Sequence, residues 1–86
     1  MPNPLHDPRY ALFRALLVSE RERNGLTQVD VAARLGRPQS YVSKYERGER
    51  RLDIIEFIDV ANALGADPPS ALSAAGRKDR VSYVLV

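Results

Sequence analysis

Apolar residues recur at helical spacing along most of this chain, and glycine or proline stands wherever the recurrence breaks. Phe13, Leu16, Leu17 and the stem of Arg21 make the first stripe. Asp7 before Pro8 reads as an N-cap followed by proline at the first helical position, where its missing N–H costs nothing. Gly25 after Asn24 supplies a left-handed stop, so a helix is predicted over about 8–24.

Thr27 with Asp30 three residues on is a short capping box, and Val31, Ala32 and Leu35 give the second helix its apolar face before Gly36 ends it. About eight residues long, it needs tertiary packing to persist. The turn Gly36-Arg37-Pro38 leads into a third helix, 38–47, stopped by Gly48. Asp53 caps a fourth, with Glu56 three residues later; Ile54, Phe57, Ile58, Ala61 and Leu64 are its expected core stripe, and Gly65 closes it. Ile55 and Val60 fall outside that stripe, which leaves more apolar surface than one contact requires. After Asp67-Pro68-Pro69 a fifth short helix is expected over 69–75, with Leu72 as its core contact.

The tail RKDRVSYVLV favours strand, yet no other segment offers a partner. It is then frayed, packed as irregular chain, or paired with a second copy. The expected fold is all-α: a compact bundle of about five helices over 8–75, followed by a tail, 76–86, that is a candidate dimerisation element.

Length changes this picture little, because 86 residues suit one small domain. A hydrophobic fraction of 44% beside 28% charged residues is that of an ordinary globular chain rather than a disordered one. With no cysteine, disulfides and thiolate metal sites are excluded. No apolar run approaches the roughly 20 residues that span a bilayer. MPNPLHDPRY has neither a basic start nor an apolar leader segment, so a cytoplasmic location is expected.

Charge matters by its distribution. The net charge is only +2, but between Arg34 and Arg51 six basic residues stand against two acids, Glu46 and Glu49. This is a local basic patch or a solvated charged face. Around the third helix, at 100° per residue, Gln39, Ser40, Ser43 and Arg47 gather on a narrow face while Tyr41, Val42 and Tyr45 fall opposite. A face selected only for solubility and helix propensity would favour Glu, Lys and Ala over serine. Short polar side chains suit close approach to another surface, and glutamine and serine can bond base edges in a major groove.

The short connection between the second and third helices is what a helix-turn-helix requires. Gly25-Leu26-Thr27-Gln28, Val31-Ala32, Leu35-Gly36, Gln39-Ser40 with Val42-Ser43, Tyr45-Glu46-Arg47-Gly48 and Leu64-Gly65, all in register, resemble the Cro and repressor type of helix-turn-helix, the xenobiotic-response-element (XRE) family with its lambda-repressor-like fold. The resemblance covers roughly residues 12–72. It implies that Gln28 anchors a DNA phosphate and braces the first reading residue, as suits a helix N-terminus. It implies that Gln39, Ser40 and Ser43 read base edges, and that Arg21 pairs with Glu46 to tie the first helix to the third. Lys44, Arg47 and Arg50 are the expected phosphate contacts, with Arg51, Arg37 and Tyr41 as weaker ones.

Catalysis is not expected: His6 is the sole histidine, and no glycine-rich loop, metal spacing or nucleophile motif is present. No cofactor or metal is implied. The expectation is a homodimeric transcriptional repressor on a palindromic site in double-stranded DNA, because one recognition helix touches few base pairs. Ile55, Val60, Val81, Tyr83, Val84 and Leu85 are the candidate dimer interface, unless they cover the core of their own chain. The alternatives are an antitoxin whose tail folds on a toxin, a restriction-modification controller, or an activator that touches RNA polymerase.

Overall fold

In the computed structural model the described residues are 7–67 together with 69, 70 and 73. They contain four helices: α1 (Pro8–Arg23), α2 (Gln28–Leu35), α3 (Gln39–Arg47) and α4 (Ile54–Leu64). Local chemistry sets each start. The Asp7 carboxylate accepts the Arg9 N–H at 2.7 Å, with Pro8 inside the first turn. Thr27 and Asp30 bond reciprocally at 3.0 and 2.8 Å, and Asp53 and Glu56 repeat that capping box at α4. Only α3 begins without a side-chain cap, because its N-cap is Pro38.

All four helices contribute to one core. Leu17 comes from α1, Val31 and Ala32 from α2, Val42 and Tyr45 from α3, and Phe57, Val60, Ala61 and Leu64 from α4. Phe13 extends it, with its ring 5.3 Å from that of Phe57. The short helices α2 and α3 therefore persist through packing, as their length demands.

The core face of α4 differs from the expected stripe. Ile54 and Ile58 are 57% and 37% exposed, whereas Val60 is fully buried. Because α4 is apolar around most of its circumference, Phe57, Ala61 and Leu64 fit a stripe with the isoleucines or one with Val60. Docking against α1 and α2 selects the second. Val60 is therefore removed from the candidate dimer interface; its burial stabilises its own chain by about 1.5–3 kcal/mol. Ile55, 64% exposed, does point outward, and Ile54 and Ile58 join it there.

Beyond Gly65, Asp67 accepts the Ser70 N–H at 3.2 Å, and Pro69 and Ser70 are helical. Leu72 and the tail with Val81, Tyr83, Val84 and Leu85 lie outside the described residues. No described helix is long and apolar enough to cross a membrane.

Candidate nucleic-acid interface

Three residues turn the chain from α2 into α3. Gly36 adopts φ +66°, and the N–H groups of Gly36 and Arg37 return to the carbonyls of Ala33 and Ala32 at 3.2 and 3.0 Å. This closes the helix end compactly and aims the chain into α3. Val42 and Tyr45 then bury one side of α3, while Gln39, Ser40, Lys44 and Arg47 are exposed on the other. Ser43 is half-buried at the margin. Tyr41 is also half-buried, edge-on to Tyr45 with ring centroids 5.8 Å apart. The Tyr45 hydroxyl is buried without a hydrogen-bond partner among the described residues, and burial raises its pKa.

A polar relay connects α1 to the outward side of α3. Arg21 donates to both oxygens of Glu46, at 2.7 and 3.2 Å, and to the Leu26 carbonyl at 2.9 Å. The two side chains are only 14% and 6% exposed. The Glu46 pairing raises the pKa of Arg21 further, so the guanidinium stays charged. Glu46 also accepts from the Gln28 amide at 2.8 Å, and the Gln28 oxygen accepts from the Gln39 amide at 2.6 Å. The direction of this relay has a chemical cause. An ionised carboxylate can only accept, so Gln28 must turn its NH2 toward Glu46 and its oxygen toward Gln39. Gln39 is left with its oxygen and one N–H unused.

The basic residues sort into held and free. Arg50 gives two hydrogen bonds to Glu56, at 2.7 and 3.2 Å, and one to the Arg51 carbonyl at 2.8 Å. Arg50 and the Asp53 N–H hold the Glu56 carboxyl at about 2, well below its ordinary value. Arg34 donates to the Ala63 carbonyl at 2.8 Å and ties α2 to α4. Arg47 meets Glu49 at 3.0 Å, but both side chains are more than half exposed, so the pair is loose. Arg37, Lys44 and Arg51 have no carboxylate partner among the described residues. The guanidinium groups of Arg37 and Arg50 both stand over the Tyr41 ring, 4.9 and 4.8 Å from its centroid.

Two contributors, Arg14 and Tyr10, escaped the sequence reading. Arg14 donates to the Glu46 carbonyl at 3.1 Å, on the last turn of α3. Its one legible signal is its place two turns before Arg21, on the same face of α1. Gly48 lies against that guanidinium: a Cβ here would sit 2.8 Å from Arg14 Cζ, and φ is +79°. Tyr10 is the second, since its hydroxyl accepts the Leu52 N–H at 2.9 Å and secures the loop into α4.

This arrangement of α2, turn and exposed α3 is a helix-turn-helix, and the helix-turn-helix family profile matches residues 17–70. A solved XRE-family-like protein from Pseudomonas syringae pv. tomato superposes with a TM-score of 0.81 at 49% identity, over 85% of this chain and 89% of that one. The chain belongs to the XRE family. Within the XRE family it is similar to the uncharacterized HTH-type transcriptional regulator y4dJ of Sinorhizobium fredii, at 47% identity over 45 residues. That match takes in 52% of this chain and spans 58% of the length of that regulator. The restriction-modification controller protein C.AhdI of Aeromonas hydrophila superposes with a TM-score of 0.66 at 31% identity, over 72% of this chain and 94% of that one. XRE membership places the chain among helix-turn-helix proteins of the transcription-regulator class.

Proposed function

We propose that the chain is a cytoplasmic homodimeric repressor that reads a palindromic operator with α3 in the major groove. The relay from Arg21 through Glu46 and Gln28 to Gln39 carries this reading. It presents Gln39 with one acceptor and one donor free, the pattern that pairs with N6 and N7 of adenine. Ser40 and Ser43 read the neighbouring base edges. Lys44, Arg47, Arg37 and Arg51 contact phosphates, and Gln28 reaches the backbone from the start of α2. The domain occupies residues 8–75.

Dimerisation follows from the reach of one recognition helix and from the exposed isoleucines at 54, 55 and 58 on α4. The likeness to C.AhdI favours a second reading, a controller protein of a restriction-modification system, which would use the same DNA-reading surface.

Selection of bound sequences from random DNA at stated salt tests the reading, with sedimentation equilibrium reporting the mass of the free protein. A palindrome with an adenine at each symmetry-related Gln39 position is the expected result. Gln39→Ala should then lower preference at that position by about 1–3 kcal/mol while leaving random-sequence binding unchanged. Equal losses on operator and random DNA would remove Gln39 from the readers.

A further inference from the structure

At the junction of α3 and α4 a carboxylate stands where a DNA-binding surface has least use for one. Glu56 accepts the Asp53 N–H at 3.0 Å and binds Arg50 through both its oxygens. Arg50 in turn lies over the Tyr41 ring, and Arg37, from the turn before α3, lies over the same ring. Two guanidinium ions at one ring repel each other, and Glu56 is the anion that offsets them. Its charge acts on the Tyr41 hydroxyl as well, which is raised first by burial and next by Glu56. Arg50 is thus occupied, and Arg37 is the cation of this cluster with no carboxylate of its own among the described residues.

We propose, resting on the DNA-binding reading above, that Glu56 is a positioning residue for the duplex. It fixes Arg50 against Tyr41, and the ring so fixed holds Arg37 at the start of α3 as the backbone-phosphate contact. Arg50 is then a support rather than a phosphate ligand. The sign of the effect is the reverse of simple Coulomb expectation. Removing an acid beside a polyanion ordinarily strengthens binding, whereas removing this one weakens it.

Two variants separate the causes. Glu56→Gln can still accept the Asp53 N–H and so keeps the cap of α4, but it loses the ion pair. Arg50→Lys keeps the charge and loses the planar stack and the two-point bond. The full chain is titrated at fixed salt with a duplex recovered by selection and with a random-sequence duplex of equal length, and helix content is followed by circular dichroism. Both variants should weaken both duplexes by about two- to fivefold, the size of one cation–π contact. Arg37→Ala should lower the salt slope by about one, and in that background Glu56→Gln should have no further effect.

Binding by Glu56→Gln as tight as wild type or tighter, or an undiminished loss without Arg37, overturns the proposal alone. Wild type that binds neither duplex overturns the DNA-binding reading and this proposal together. If Glu56→Gln loses helix content, Arg50→Lys decides: wild-type affinity rejects the proposal, and the stated loss sustains it.

Discussion

Glu46 and Glu56 each hold an arginine beside the surface that α3 presents, and they do so in different surroundings. The Arg21–Glu46 pair is closed off, with side chains 14% and 6% exposed, and passes its polarity through Gln28 to Gln39. The Arg50–Glu56 pair is more open, at 36% and 19%, and leads to an aromatic ring and a second cation. The difference matches what each would hold in the DNA complex proposed above. A base edge is recognised by the direction of donors and acceptors, so its reader needs support that cannot turn over. A phosphate is recognised by charge and position, and a stack that fixes only location is sufficient.

The sharpest way to break this contrast is Arg21→Ala. It leaves Glu46 poorly compensated in a nearly buried site, where loss of one partner costs about 3–5 kcal/mol. Because Glu46 keeps its bond from Gln28, a loss near 3 kcal/mol is expected in urea unfolding. A loss below about 1 kcal/mol would place the pair among exposed ones.

The Arg50–Glu56 pair has a pH signature instead. The folded pKa of Glu56, about 2, lies below its ordinary 4.5, so its stabilisation is fully present above pH 4.5 and is lost as pH falls toward 2. The urea midpoint of wild type should therefore exceed that of Glu56→Gln most at neutral pH, and the gap should close across that window. Asp7 and Asp30 are lowered too, but they are present in both proteins and cancel in the difference. A gap that stays constant down to pH 2 would exclude the ion pair as its source.

The smallest effect belongs to Arg47–Glu49, exposed at 58% and 54%. Glu49→Gln should change stability by less than about 0.5 kcal/mol. A larger loss in thermal unfolding would show that burial is not what ranks these three pairs.

What the sequence made legible follows the range of the interactions. The caps at Asp7, Thr27 and Asp53 and the stops at Gly36 and Gly48 depend on residues a few positions away, and their chemistry can be read directly. The face of α4 could not be read this way, because periodicity identifies a stripe only when the rest of the helix is polar. Here Ile54, Ile55 and Ile58 compete with Val60, and packing against other helices decides. Distance hid parts of the site as well. Gln28 meets Glu46 across eighteen positions, and Arg14 reaches the Glu46 carbonyl across thirty-two. Arg50 is expected from the sequence to contact phosphate, and nothing in the capping pattern of α4 declares that its glutamate will also hold this arginine.

Arg14 and Arg21 grip one residue in two ways, the first by the main chain of Glu46 and the second by its carboxylate. Gly48 leaves the room for the first of these. A helix fastened so at its last turn cannot slide along its axis without carrying α1 with it. The outer face of α3 is thus presented on a frame that includes α1, held at two points of a single residue.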